Sequence, residues 1–383
     1  MNKETTHQDK IASPLRYLSE VVDKRQQAKC DYSMEMLWKL VLMGICAGKE
    51  NVPAISQWLE DNAEALYEHG FRNLKGEQRL PSEISCYRFF WAVEGQIKKL
   101  EEKLKSWVVE VSKTLTTSAE ALVFDVDGKH IKGTKRPRAG EKAIQLVSIY
   151  LQNLGLTLVQ EKLEGDEAKL AEKMMVHMQD FEGLTWLLTG DAAFNEKPMV
   201  TSVVDQGGMY LFELKDNRSA LKQFATFAFS LPSCEQDSSH HDCESRSGEI
   251  WLRDIDSRPV DDHVVKQLPQ AQQFVRVVRT IVDKATGEIK SQETDYAITS
   301  AHADAKTLYH WWRGHWAIEN RSHHKRDTIW REDHCRMRRG AQVFAALRNL
   351  VLSLFHLSKV PSVLRQTRRF SSKPQLIPAF LGF

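Results

Sequence analysis

Residues 121–128 read Ala-Leu-Val-Phe-Asp-Val-Asp-Gly. Four apolar residues lead into two aspartates, and the Gly offers a sharp turn, so the stretch predicts a short, largely buried strand ended at Gly128. Asp125 and Asp127 are two apart and share one face of that strand. Two more strands are expected on its C-terminal side, at 142–151 and 156–163, joined by a hairpin turn at Asn153-Leu154-Gly155. An amphipathic helix follows at 166–180, then an apolar strand from Leu184, a helix over 196–205 and a strand at 209–214.

Three strands joined by short links favour an antiparallel meander, and later strands alternating with helices favour parallel pairing. This order is that of the ribonuclease-H-like fold. The fold class expected is α/β, with a mixed five-stranded sheet, flanking helices and a β-rich insertion, preceded by an all-helical N-terminal domain. The boundaries expected are a flexible N-terminus at 1–29, a helical domain at 30–115 and the first part of the core at 116–216. A β-rich insertion at 217–302, a helical remainder of the core at 303–357 and a basic tail at 358–383 follow. Within the insertion, 233–247 reads as a polar loop.

With 383 residues and 42% hydrophobic side chains, the chain has room for two or three domains and a sizeable core. The net charge of +2 is small, but its distribution is not even. From His334 to Phe383 there is no Asp or Glu, while Arg336, Arg338, Arg339, Arg365, Arg368 and Arg369 all fall there. A basic end of this kind suits a phosphate backbone. The six cysteines form no CxxC pair, which argues against a zinc ribbon and a disulfide framework. The N-terminal residues lack a signal peptide's apolar core, and no run reaches the roughly 18 apolar residues of a membrane span. A cytoplasmic, nucleoid-associated protein with no membrane partner is expected.

Three carboxylates stand out. Asp127 closes the first strand. Asp191 follows the apolar run 184–188, at the carboxyl end of a strand, where α/β sheets place their sites; it would also serve as a helix N-cap. Glu319 lies on a helix in which Trp312, His315, Glu319, His323 and Arg326 step by three or four and line one face. Phosphodiester hydrolysis needs an activated water and a stabilised leaving oxygen, which two Mg²⁺ ions about 4 Å apart supply. Carboxylate oxygens suit that hard cation. Asp125 is the alternative to Asp127, and Glu332 and Asp333 are alternatives to Glu319. A zinc site from Cys234, His240, His241 and Cys243 is a further alternative, as is one from His323, His324, His334 and Cys335.

At these residues the sequence resembles the DDE insertion-sequence transposases, in the branch of the H-repeat-associated, Rhs-linked proteins. The resemblance rests on Asp127-Gly-Lys, on Tyr210-Leu-Phe-Glu-Leu-Lys-Asp-Asn and above all on Arg313-Gly-His-Trp-Ala-Ile-Glu-Asn. The family's signature of Tyr, Arg, Glu and Lys falls at Trp312, His315, Glu319 and Arg326 with its spacing kept. The resemblance implies catalysis and metal binding by Asp127, Asp191 and Glu319, with two Mg²⁺ per site and Mn²⁺ able to replace it. It implies a DNA-binding role for the helical domain at 30–115 and double-stranded DNA as partner, both element ends and target, handled by a homodimer when DNA is bound. The DNA contacts expected are Trp312, Arg313, His315, His323, Arg326, Arg336, Arg338 and Arg339. A DNA-binding descendant without catalysis and a nuclease without strand transfer are the other readings of the same sequence.

Overall fold

The computed structural model describes residues 12–116 and 120–383. A short helix, α1 (Pro14–Leu18), precedes α2 (Met34–Cys46), α3 (Val52–Asp61), α4 (Ala63–Glu68), α5 (Glu83–Glu94) and α6 (Ile97–Leu115). Then come β1 (Leu122–Ile131), β2 (Ile144–Leu151), β3 (Leu156–Lys162), α7 (Glu167–Met174), β4 (Trp186–Gly190), α8 (Lys197–Asp205) and β5 (Met209–Leu214). The next segment holds α9 (Ser219–Ala228), β6 (Ser238–Arg246), β7 (Glu249–Pro259), α10 (Asp262–Gln267), β8 (Gln273–Asp283) and β9 (Ile289–Thr299). Helices close the chain: α11 (Ala305–Ala317), a π-helical segment (Ile318–His323), α12 (His324–Ile329), α13 (Ala341–Leu357), α14 (Val363–Ser372) and α15 (Ile377–Leu381).

The strand order is β3-β2-β1-β4-β5-β9-β8-β7-β6. β2 and β3 are antiparallel, while β1 pairs with β4 and β4 with β5 in parallel. These three pairings are the ones expected. Two expectations are corrected. The sheet has nine strands, not five, because β9 pairs antiparallel with β5 and the β-rich segment continues the same sheet. β1 also does not stop at Gly128 but runs on to Ile131.

The polar stretch 233–247 contains a strand as well. β6 pairs with β7 over nine residue pairs from Ser238↔Ser257 to Arg246↔Glu249. It is an edge strand, half-exposed along its length, so it needs no apolar face and shows none. His240 and His241 are consecutive on it and point to opposite faces. No group of three or more potential metal-ligating side chains is gathered among the described residues.

The chain divides into two compact units. One comprises residues 1–117, 128–163 and 318–383. Its centre is α13, buried from Val343 to Phe355, which packs against β3, α6, α2 and α5. Ser33, Asn51 and Ser82 cap α2, α3 and α5 through side-chain hydrogen bonds to backbone N–H groups. Residues 1–11 of the stretch expected to be flexible lie outside the described ones. Its remainder is packed: Tyr17 and Leu18 are buried, and Trp107 Nε1 donates to the Ala12 carbonyl at 2.9 Å. The basic tail is likewise helical, with Thr367, Phe370 and Ile377 buried and Trp58 Nε1 donating to the Ser371 carbonyl at 3.1 Å.

The other unit comprises residues 118–127 and 164–317. There α11 lies on one face of the sheet, with Ala305, Leu308 and Tyr309 packed on Val123, Leu187 and Leu211. These three are odd-numbered, so Asp125, Asp127, Thr189 and Asp191 follow them on the same face. No helix among the described residues is long and apolar enough to cross a membrane.

Candidate active site

The β1–β4 ladder pairs Asp125 with Thr189 and Val126 with Gly190. Asp127 and Asp191 are the next residue on each strand, so they stand side by side just past the end of the ladder. Adjacent strands lie about 4.8 Å apart, a separation two carboxylates can bridge through one cation. Gly190 makes this closeness possible. A Cβ there would come within 2.9 Å of the Phe212 ring and 3.0 Å of Val126.

Asp127 and Asp191 are both half-exposed. Asp191 Oδ1 accepts the Ala193 N–H at 2.8 Å, capping the turn Ala192–Phe194. The N-cap role and a ligand role are therefore compatible, since one oxygen fixes the carboxylate's orientation and the other is left. The turn is clasped from β5 onward. Asn217 donates to the Ala192 carbonyl, Arg218 to the Asn195 carbonyl, and Asn195 to the Glu213 carbonyl at 3.1 Å. The Tyr210–Asn217 motif thus serves to hold Asp191 in place.

Beneath the two aspartates lies a group that sequence reasoning only half found. Asp125 is fully buried. The Thr189 hydroxyl donates to Asp125 Oδ1 and lies 3.1 Å from His315 Nδ1. A hydroxyl has one proton, so Nδ1 carries the proton of the second contact. His315 Nδ1 is also 3.6 Å from Asp125 Oδ1. Burial would lower the imidazole's pKa, but hydrogen bonding to Asp125 and the charges of Asp125, Asp127 and Asp191 raise it above its ordinary value. His315 therefore lies within electrostatic reach of both aspartates. Thr189 could have been anticipated only from the register of β1 against β4.

Trp312 is half-buried against the α11 core. Arg313 is exposed, and its guanidinium is paired with Glu244 at 2.8 Å and Asp242 at 3.4 Å on β6.

The remaining expected residues lie in the other unit. Glu319 is exposed, in the π-helical segment, one turn beyond His315 in sequence. Single π turns inside helices occur often at functional sites. His323 is buried.

Arg326 needs correction as a DNA contact. It is fully buried, 2.7 Å from Glu332 Oε2, and it donates to Gln160 and Asn349 at 3.1 Å each. No part of it reaches a surface. Glu332 is fully buried too, held on its other oxygen by Arg348 at 2.9 Å. Asp333 pairs with Lys132 at 2.8 Å. Both acids are thus committed to ion pairs, which disfavours them as alternatives to Glu319. Arg336 and Arg339 are exposed, and Arg338 is half-buried.

Residues 118–355, more than half of the chain, match the family described as Transposase DDE domain. The chain belongs to that family. A second family, DDE_Tnp_1-associated, matches residues 15–108, the helical stretch that precedes the DDE domain. Among curated relatives, the "H repeat-associated putative transposase YhhI" of Escherichia coli (strain K12) is 24% identical over 364 residues, 90% of this chain and 91% of the relative. The "H repeat-associated putative transposase YbfD" of the same strain is 22% identical over 231 residues, 60% of this chain and 85% of the relative. The DDE chain also matches a cryo-electron microscopy structure of the piggyBac transposase synaptic complex with hairpin DNA. There the TM-score is 0.44 and the identity 10%, covering 95% of this chain and 76% of that one. A likeness that distant decides nothing here.

Proposed function

We propose that this DDE-family chain cuts and joins DNA strands at the ends of a mobile element, with Asp127, Asp191 and Glu319 as its catalytic carboxylates and a ribonuclease-H-like core around them. The observation that carries the reading is the pair Asp127 and Asp191, side by side past the β1–β4 ladder and both acting on His315. Two half-exposed carboxylates at neighbouring strand ends are the donor set a hard divalent cation prefers, with waters and substrate phosphates as its other ligands. Asp127, Asp191 and Glu319 would hold Mg²⁺, or Mn²⁺ in its place. When bound, a pair of such ions supplies an activated water and a stabilised leaving oxygen.

The chain's own residues do the rest. The cap from Ala193 orients Asp191. Asp125 and Thr189 orient the His315 ring, and the charges of Asp125, Asp127 and Asp191 favour its protonated form. Trp312 offers a stacking surface on the same helix, one turn earlier. Handling two element ends together requires at least a dimer on DNA.

The test is cleavage of labelled DNA carrying the ends that flank the gene, with Mg²⁺, Mn²⁺ or EDTA. Metal-dependent nicking at those ends is expected, and it should vanish in Asp127→Ala, Asp191→Ala and Glu319→Ala proteins that still fold. Tight binding without any cleavage by the unaltered protein would overturn the catalytic reading in favour of a DNA-binding descendant. Cleavage retained by Asp127→Ala would mean that the wrong carboxylate was chosen.

A further inference from the structure

Two basic loops that are far apart in sequence form one surface. The first joins β1 to β2 and reads Lys-Gly-Thr-Lys-Arg-Pro-Arg-Ala-Gly-Glu-Lys over 132–142, with five cations and one acid. The second joins α12 to α13 and reads Arg-Glu-Asp-His-Cys-Arg-Met-Arg-Arg-Gly over 331–340, with four cations and two acids. Both belong to the same compact unit.

The loops are clasped from both sides. Arg136 donates to the Arg336 carbonyl. Arg338 donates to the carbonyls of Thr134 and Lys142, the latter at 3.0 Å, and pairs with Glu141 at 3.1 Å. The Lys132 N–H donates to Asp333 Oδ1 at 3.2 Å. The backbones meet so closely at Gly133 that a Cβ would sit 2.5 Å from the Cys335 carbonyl oxygen.

This clasp also settles the charge balance. Every acid of the two loops is taken: Glu141 by Arg338, Asp333 by Lys132, and Glu332 in the buried pair with Arg326 and Arg348. Lys135, Arg138, Lys142, Arg336 and Arg339 are left exposed. None of them makes an ion pair among the described residues. Arg339 lies 4.8 Å from the centre of the Trp91 ring, which props its guanidinium outward from α5.

We infer that these two loops form a single platform for the sugar-phosphate backbone of duplex DNA. The inference rests on DNA being the substrate. Five cations spread over two surface loops, with their acids neutralised internally, suit a polyanion whose charges repeat along its length. Holding both loops to each other fixes the spacing of the cations, so little ordering is required on binding.

The test is fluorescence anisotropy of the full chain on labelled duplex from the element end, across a salt series. The comparison is between the unaltered protein and the double variant Arg138→Ala with Lys142→Ala. Losing two phosphate contacts should make the log–log salt slope shallower by about 2 and weaken binding about tenfold or more near 0.1 M salt. Circular dichroism melts should coincide, since both side chains are exposed. A second variant, Arg339→Glu, should weaken binding with the same fold retained. Unchanged slope and affinity in both variants would overturn the platform while leaving the transposase reading intact. Failure of the unaltered protein to bind any duplex would overturn both.

Discussion

Glu332→Gln should destabilise this protein without touching its proposed chemistry. Glu332 sits fully buried between Arg326 at 2.7 Å and Arg348 at 2.9 Å, with both guanidiniums themselves buried. Burial alone would raise its pKa. The charges of Arg326, Arg348 and Lys129, with the Arg326 hydrogen bond, outweigh it and hold the carboxyl at about 2, against an ordinary 4.5. At about 1.4 kcal/mol per pKa unit, that is roughly 3 kcal/mol of stability. Because the folded pKa is depressed, this stability is present above about pH 4.5 and is lost as pH falls toward 2. The Gln variant keeps the shape but leaves two buried cations uncompensated, a loss of about 3–5 kcal/mol. Calorimetry at pH 7 should show the lowered transition, and an acid titration should lack the steep limb below pH 4.5. A variant within about 1 kcal/mol of the parent, with the same acid limb, would refute the reasoning. Glu319→Gln is the contrasting experiment: the side chain is exposed, so stability should move by less than about 0.5 kcal/mol while cleavage disappears. The pair of variants separates the glutamate that holds the fold from the one proposed for chemistry.

Other outcomes follow from the same geometry. NMR titration should place the His315 pKa above 6.5, and Asp125→Asn should lower it, because Asp125 supplies the largest share of the upward shift. Since the folded pKa is raised, the stability His315 contributes is full below 6.5 and lost as pH rises through the folded value; no change in the Asn variant would contradict the placement. Gly190→Ala should cost about 1–3 kcal/mol in denaturation experiments, as its Cβ would press into Phe212 and Val126. Charge removal at Arg365, Arg368 and Arg369, exposed on one face of α14, should weaken DNA binding in a salt-dependent way. Affinity that stays flat across the salt series would remove α14 from the interface.

The legible parts of the fold were those with a periodic signal. The strands from β1 to β5 and the helices before them each bury one face or both, so apolar periodicity marks them. β6 escaped because its residues are polar on both faces, so no apolar period marks it, and 233–247 reads as a loop. The run of β1 past Gly128 was missed for a related reason. Gly128 is a turn signal in isolation, yet Lys129 beyond it is buried and paired with Asp327 at 2.7 Å, a partner 198 residues away.

The site divides in the same way. The proposed carboxylates Asp127, Asp191 and Glu319 stand out in the sequence because two follow apolar strands and the third lies on a helix face of mixed polar residues. Arg326 looked like one more member of that face and proved to be core. Its helical phase says which way it points along α12, but only packing against Gln160, Asn349 and Glu332 says whether water or protein lies there.

Local sequence determined the strands β1 to β5 and the helices before them, apart from where β1 ends, and also where acids cluster and where they are missing, since those depend on neighbours a few residues away. Tertiary structure alone decided that Thr189 stands beside Asp125, that β9 joins β5, and that the loops 132–142 and 331–340 share one surface. Each of these depends on strand register or loop contact between residues distant in the chain. A one-residue slip of β4 against β1 would turn Thr189 away from Asp125 to the opposite face.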